Sequence, residues 1–350
     1  MGIEAELAER VRDAAAAGTP LEIRAGGSKA FLGRRVEGQR LDVSTVRGVV
    51  HYEPTELVIS ARAGTPLAEI EATLAEHDQM LGFEPPHYGA SATLGGTLAC
   101  GLSGPARPFR GAARDAVLGV KLINGAGERL GFGGEVMKNV AGYDLSRLMC
   151  GAHGTLGVLL ELALKVVPRP ATEQYLSLEL AADAAYTRMT DWQRTPLPLS
   201  GLCHDGKRLH VRLAGAEQAV AAARRRLGGE PEADGAAFWD RLREQQGAFF
   251  AGHEPLWRIS VPSTTRTLPL AGEQLIDWGG ALRWVKTPAS AATVFERARA
   301  VGGHALCLRG AVDGAVFQPL APALLAVHRR LKQAFDPCGI LNRGRLYPDF

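Results

Sequence analysis

The chain has 350 residues, with 40 Lys and Arg against 37 Asp and Glu, a formal net charge of +3, 46% hydrophobic and 22% charged residues. This is the composition of a globular protein, and at about 150 residues per domain it sets an expectation of two domains. The small charge gives no argument for nucleic acid as a general partner, and no run of roughly 18 apolar residues is present to cross a membrane. Five cysteines, none in a CxxC pair, exclude an iron–sulfur cluster or a zinc ribbon within the chain.

The first stretch, MGIEAELAERVRDAAAAG, mixes acids with apolar residues and has neither the basic start nor the hydrophobic core of a signal peptide. Ile3, Leu7 and Val11 give it one apolar stripe, so a helix is expected, ending at Gly18 and Pro20. A cytoplasmic protein with reduced thiols is the corresponding expectation. The strand LEIRA (21–25) then runs into Gly26, Gly27, Ser28 and Lys29, where successive N–H groups can form an anion nest and Arg24 and Lys29 add positive charge. The Walker A order is absent. Strands follow at 40–43, 48–52 and 57–63, and then a helix at 66–80 with Leu67, Ile70 and Leu74 on one face.

Glu84 to Gly104, EPPHYGASATLGGTLACGLSG, is the stretch that organises the chain. A Pro85-Pro86 turn leads into small residues that let a backbone approach a ligand closely. Thr93 is placed as the N-cap of a short helix whose N-terminus suits an anionic pyrophosphate. DAVLGVKLI (115–123) and ERLGF (128–132) flank Asn124-Gly125, a hairpin signal. No helix follows this turn, so it is not a dinucleotide fingerprint and a nicotinamide-binding Rossmann domain is not expected. The strand VLLELALKVV, continuous in its apolar character, predicts burial on both faces. Residues 173–325 alternate strands and helices, and Arg224 to Arg226 read as a solvated helix end. The final helix, 322–334, puts Leu324, Leu325, His328 and Leu331 on the side expected to pack on the core.

Four of these segments in the same order resemble the flavoprotein family of vanillyl-alcohol oxidase and the D-lactate and glycolate dehydrogenases: RAGGSKAFLG (24–33), the 84–104 stretch, KNVAGYDLSRLMCGAHGTLGV (138–158) and FDPCGILNRGRL (335–346). WRISV, DWGGALRWV and GGHALCLRG, in the second half, resemble the FAD-bearing subunits of bacterial glycolate oxidases in particular. The resemblance implies an α+β fold: a PCMH-type, VAO-like FAD-binding domain of two subdomains over 1–172, an α+β cap over 173–325, and a C-terminal segment over 326–350 that returns to the flavin.

It further implies that Arg24, Ala25, Gly26, Gly27, Ser28 and Lys29 hold the pyrophosphate. Pro86, Thr93, Gly95, Gly96, Ala99, Ser103 and Gly104 would line the flavin and its phosphates. Lys138, Asn139, Tyr143 and Asp144 belong to the third segment, Gly154, Leu156, Gly157 and Val158 would reach the adenine, and Asn342 the ring. Members that hold flavin covalently through the first loop carry His where this chain has Ser28, which implies non-covalent FAD. The H-x-x-H and GDGN-type metal site of related single-chain dehydrogenases is absent from the cap, so no metal is expected. Arg343 stands where proline is usual, and His153 where an apolar residue is common.

The implied activity is oxidation of a 2-hydroxy acid, glycolate to glyoxylate, with hydride transfer to FAD. That chemistry needs a base for the hydroxyl proton and a cation for the carboxylate. His304 with Arg309 is the sequence-local pair for these tasks, Arg258 and Arg283 are alternative clamps, each beside a Trp, and His87 is a second base. Electrons would leave to other glycolate oxidase subunits, a second flavoprotein and an iron–sulfur subunit, at the inner face of the membrane. The alternative is a non-catalytic flavin-bearing relay or structural subunit of that complex.

Overall fold

The computed structural model describes residues 2–134, 144–310, 315–348 and 350. They form two compact units: Met1–Leu102, Ala112–Pro168 and Leu320–Phe350 make the first, Ser103–Gly111 and Arg169–Pro319 the second. Short excursion 103–111 belongs to the second unit because Phe109, beside the turn of helix Arg107–Arg110, packs on that unit's core. No helix among the described residues is long and apolar enough to cross a membrane.

The first unit is built on a five-stranded antiparallel sheet, in the order Val49–Glu53, Val58–Arg62, Val158–Lys165, Val117–Ile123 and Arg129–Gly133. Its central strand, Val158–Lys165, is buried on both faces, as its continuous apolar run predicts. Leu159, Leu162 and Leu164 pack with Ile70 and Leu74 of helix Leu67–Ala75 and Leu98 of helix Leu94–Cys100. Val158 and Leu160 face the other way, onto Leu7 and Val11 of helix Ile3–Ala17. The alternation changes phase at Leu160, which is skipped where Lys121 pairs Glu161 and Leu122 pairs Leu159. Such a bulge lets one strand serve two cores. Helix Ile3–Ala17 ends at Gly18, whose φ of +64° is the left-handed C-cap that glycine adopts without a Cβ penalty. Helix Leu67–Ala75 is shorter than the sequence pattern suggests, because Asp78 turns left-handed (φ +52°) and Gln79–Met80 pairs Val167–Pro168 as a strand. The Asn124 turn is a hairpin in which Asn124 Oδ1 accepts the N–H groups of Ala126 and Glu128.

The second unit is an eight-stranded antiparallel sheet, in the order Glu230–Pro231, Thr172–Glu179, Arg208–Gly215, Leu199–His204, Glu273–Asp277, Leu282–Lys286, Leu256–Ser260 and His304–Arg309. Helices Ala182–Gln193 and Glu217–Leu227 bury Met189, Trp192 and Val220 against one half of it. Helix Ala291–Ala300 buries Val294, Phe295 and Ala298 against Trp257 and Ile259 in the other half. Arg224 to Arg226 are exposed, a solvated helix end.

The C-terminal return completes the first unit. Leu341 bridges Leu21 in parallel, so strand Leu21–Arg24 lies between Gln39–Asp42 and the tail. Helix Pro322–Phe335 packs less deeply than its spacing suggests: Leu324 is 47% exposed, Leu325, His328 and Leu331 are half-buried, and Lys332 and Phe335 are its buried residues. What anchors it is polar. Lys332 Nζ lies 2.6 Å from Asp336 Oδ2 and donates to the carbonyls of Thr155 and Leu341, both at 2.9 Å. Asp336 in turn accepts the N–H groups of Ile340 (3.1 Å) and Leu341 (2.8 Å). Every partner is satisfied, so removing one leaves an uncompensated buried charge, which costs about 3–5 kcal/mol. Lys332→Met and Asp336→Ala should each lower the unfolding free energy of the first unit by about that amount in urea titrations. A loss below about 1 kcal/mol would show the pair to be solvated in solution.

Candidate functional site

The first unit contains a groove where all four of the sequence segments converge. Residues 22–30 form one wall, Gly96, Ala99 and Cys100 a second, and His153, Gly154, Gly157, Asn342 and Arg345 a third. Thirteen of the expected cofactor residues line it: Arg24, Ala25, Gly26, Gly27, Ser28, Lys29, Thr93, Gly95, Gly96, Ala99, Gly154, Gly157 and Asn342.

The loop after strand Leu21–Arg24 is held against the Ser91 turn. A Cβ on Gly26 would sit 1.5 Å from the Ser91 carbonyl oxygen, so this contact requires glycine. Gly27 follows at φ +73°, another conformation that favours glycine. Among the described residues, the N–H groups of Gly26, Gly27 and Ser28 donate to no protein acceptor. Three successive N–H groups with no protein acceptor can serve an anion. Lys29, 6% exposed, donates to the His87 carbonyl at 3.2 Å and to Thr97 Oγ1 at 3.5 Å, tying the first segment to the second and leaving its charge at the groove. Arg345 is held by the carbonyls of Arg34 (3.1 Å) and Ala30 (3.2 Å) on the same loop.

Helix Leu94–Cys100 differs from the expectation in one respect. Thr93 does cap it, with Oγ1 accepting from Gly96 N at 3.3 Å, but Leu94 N donates to the Thr65 carbonyl at 2.9 Å and Gly95 N to the Ala63 carbonyl at 2.7 Å. The first amides are therefore spent on the protein, and the helix N-terminus has none to give a pyrophosphate. The helix lines the groove by its side instead. Gly96, Ala99 and Cys100 recur at i, i+3 and i+4 and are half-buried, whereas Leu94, Gly95, Thr97 and Leu98 are buried. The two glycines separate in role: a Cβ on Gly95 would meet Ala63 Cβ at 2.6 Å, whereas one on Gly96 would meet only Thr93 Oγ1, at 3.1 Å.

Asn342, at φ +41°, accepts Ile23 N on Oδ1 at 2.8 Å and donates Nδ2 to the His153 carbonyl at 2.7 Å. Its amide is the staple between the first, third and C-terminal segments, and the residue also lines the groove. His153 is 8% exposed, and burial first and the Arg345 charge second pull its imidazole down to about 3. Cys100 is pushed up to about 11 by burial, so its thiol stays protonated. The groove walls thus carry a neutral imidazole and a protonated thiol.

Several expected residues lie elsewhere. Pro86 is buried behind the turn, Leu156 and Val158 belong to the two hydrophobic cores, and Asp144 is the N-cap of helix Leu145–Leu148, accepting Arg147 N at 3.0 Å. Ser103 and Gly104 are part of the second unit, where the Gly104 carbonyl accepts Trp278 Nε1. Lys138, Asn139 and Tyr143 lie outside the described residues. Residues that the sequence reading missed include Arg345 and the wall residues Val36, Val43 and Leu159. Arg345 stands in RGRL within a quoted segment and was in principle legible. Val36, Val43 and Leu159 carry no local signal.

The second unit regroups the acid–base candidates. His304 and Arg309 are separated: on the edge strand, His304 pairs Ser260 and Arg309 pairs Leu256, about 16 Å apart along the strand. Arg283, 1% exposed, is not a clamp, because it donates to the Gly280 and Thr265 carbonyls, both at 2.6 Å; burial brings it down to about 10. His87 is paired with Glu71 at 3.0 Å on helix Leu67–Ala75. His304 keeps a cationic neighbour, Arg258, and gains Arg107; burial foremost, then these two charges, lower its affinity for a proton.

Residues 2–133 match a family model described as an FAD binding domain. The chain is 54% identical over 343 residues to the glycolate oxidase subunit GlcE of Escherichia coli (strain K12), covering 98% of this chain and 97% of that protein. It is also 37% identical over 112 residues to the glycolate oxidase subunit GlcD of Bacillus subtilis (strain 168), a match over 31% of this chain and 24% of that protein. Among solved structures, alkyldihydroxyacetonephosphate synthase shares the fold, with a TM-score of 0.67 at 16% identity over 96% of this chain and 74% of that one.

His153 gives the first unit an acid limit. The folded chain holds the ring neutral down to about 3, whereas the unfolded chain protonates it near 6.5, so its contribution is fully present above that value and is lost as pH falls through the window. Stability should drop by about 1.4 kcal/mol per pH unit in that window from this group alone. His153→Asn, which tolerates the left-handed backbone, should flatten the drop in urea midpoints compared across the same range. An unchanged slope would place the acid sensitivity in other groups.

Proposed function

The chain belongs to the family of FAD-binding flavoproteins that includes the glycolate oxidase subunit GlcE, and from that premise we propose that it is the FAD-bearing subunit of a glycolate oxidoreductase, converting glycolate to glyoxylate and passing the electrons to a partner subunit. The observation that carries the cofactor reading is the groove itself. Three backbone N–H groups at Gly26–Ser28 lie beside Lys29 and Arg345, next to a helix side kept bare by Gly96 and Ala99. An FAD diphosphate fits the nest, the two cations offset its charge, and the small side chains leave room for a flat ring system.

Bound FAD supplies a two-electron acceptor for the hydride of the carbon that carries the substrate hydroxyl. The protein's own contribution is to hold and orient that group. Gly26–Ser28 fix the diphosphate, Lys29 links its loop to the helix, and Asn342 keeps the third segment against the first. Ser28 carries no nucleophile of the kind that forms a covalent flavin link, so the cofactor is held non-covalently. In this reading the electrons are passed on to a partner subunit carrying iron–sulfur clusters. The alternative role, a flavin-bearing relay within the same complex, differs in one measurable respect: such a chain would not take electrons from glycolate directly.

The purified chain should show a flavin spectrum whose cofactor is released by denaturation, and which bleaches anaerobically on adding glycolate. A spectrum that stays oxidised would favour the relay. Gly96→Val should give folded but colourless protein, because the added side chain enters the groove past Thr93. Gly26→Ala should lose flavin and stability together, since its Cβ overlaps the Ser91 backbone. A yellow Gly96→Val variant would show that the groove is not the flavin site.

A further inference from the structure

The groove of the first unit is lined mainly by cations and donors, and it carries a single acid. Among the described residues that line it, Arg24, Lys29 and Arg345 are cationic, Gly26–Ser28 present backbone N–H groups, and Glu22 is the sole carboxylate. Glu22 and Arg24 flank Ile23 on strand Leu21–Arg24, so their side chains share a face. Arg24 Nε lies 2.9 Å from Glu22 Oε1, which turns the carboxylate up the strand toward the loop. The guanidinium continues that line, since a Cβ on Gly27 would lie 4.0 Å from Arg24 Nη1. Glu22 Oε2 accepts no hydrogen bond among the described residues, and the Glu22 side chain is 24% exposed. Its charge reaches the far wall: burial foremost lowers the proton affinity of Arg345, and Cys100 and Glu22 oppose that effect.

A carboxylate beside a diphosphate adds repulsion, and once a ligand shuts out water its open oxygen also loses its hydrogen bonds. A hydroxyl donor on the ligand removes the second cost and makes a charge-assisted bond, stronger than a neutral one. The place of Glu22 along the groove decides which hydroxyls these are. With the diphosphate at Gly26–Ser28 and the ring system at Gly96 and Ala99, strand Leu21–Arg24 is the wall left for the nucleoside arm of a dinucleotide. Val43 N donates to the Arg24 carbonyl at 2.8 Å, so an apolar wall residue adjoins the Glu22–Arg24 pair. Arg24 stands two residues, about 7 Å of extended chain, before Gly26, a span that one ribose covers.

We propose that Glu22 selects the dinucleotide: its open carboxylate oxygen accepts the hydroxyls of the adenosine ribose, and the groove thereby takes FAD in preference to FMN. This role rests on the cofactor reading of the groove given above, and adds to it the residue that decides which flavin enters.

The test is calorimetric titration of the full chain, freed of flavin, with FAD, FMN, ADP and the dideoxyribose analogue of ADP. Wild type should bind ADP about tenfold or more tighter than the analogue, and FAD tighter than FMN by at least as much. Glu22→Ala should bind FAD about tenfold more weakly and should no longer distinguish ADP from the analogue. It should bind FMN no more weakly than wild type does, because toward FMN it loses only a repulsive charge. Glu9→Gln, exposed on helix Ile3–Ala17, should behave as wild type. If Glu22 merely braces Arg24, the variant will weaken all four ligands together and keep the penalty for the missing hydroxyls, which would overturn the proposal. Equal binding of ADP and its analogue to wild type would overturn it too, and that comparison decides even where Glu22→Ala does not fold. Wild type that binds FAD without this difference sinks the role of Glu22 alone. Wild type that binds neither FAD nor ADP sinks the cofactor reading with it.

Discussion

The groove depends on one long-range closure. Strand Leu21–Arg24 has a single partner strand, Gln39–Asp42, until the tail arrives from the far end of the chain to pair Leu341 with Leu21. The tail turns at Asp336, whose carboxylate is anchored by Lys332 and by two backbone N–H groups in a site with almost no access to water. In so dry a place a carboxylate is tolerated only with its charge and lone pairs satisfied. Once that turn is set, Asn342 reaches Ile23 and His153, and the walls of the groove are in register. The geometry of the groove wall at residues 24–29 is thus set by residues more than 300 positions away in sequence.

Along these walls, glycine serves two separate purposes. At Gly26 and Gly95 the missing side chain lets the protein touch itself, a loop on the Ser91 carbonyl and a helix on Ala63. At Gly96 it leaves space open to a ligand. The same economy governs hydrogen bonds. The helix N-terminus at Thr93, which looks like the natural anion site, spends its amides on Ala63 and Thr65, whereas the N–H groups of the less regular loop at Gly26–Ser28 have no protein acceptor among the described residues. A helix end fastened to a neighbouring turn cannot also bind a phosphate, because each N–H makes one strong bond.

Charge is divided between the units along similar lines. In the first, cations border a groove whose titratable walls, His153 and Cys100, are held in their neutral forms. In the second, Arg283 is consumed in bracing the turn at Gly280, while Arg107 and Arg258 are brought to the Trp278 ring. Two arginines that look equivalent in sequence, each next to a tryptophan, therefore have opposite fates. Strand alternation decides which: Arg283 faces inward on strand Leu282–Lys286, whereas Arg258 lies on the half-buried face of Leu256–Ser260.

Local patterns in the sequence determined what depends on near neighbours alone. The 3.6-residue stripe of the first helix, the doubly buried strand 158–165, the Asn124 hairpin, the Gly-Gly turn after the first strand and the Thr93 cap were legible because propensity, turn chemistry and hydrophobic period are carried by adjacent residues. The order of four segments carried the family and hence most of the groove. Tertiary structure alone decided how those pieces are spent. It set the commitment of the helix amides to Ala63 and Thr65, the polar anchoring of a final helix whose apolar stripe is only half-buried, and the parting of His304 from Arg309. It also set the meeting of His304 with Arg107 across some two hundred residues. Such partnerships depend on strand register and on chain segments remote in sequence, and no window of neighbouring residues contains that information.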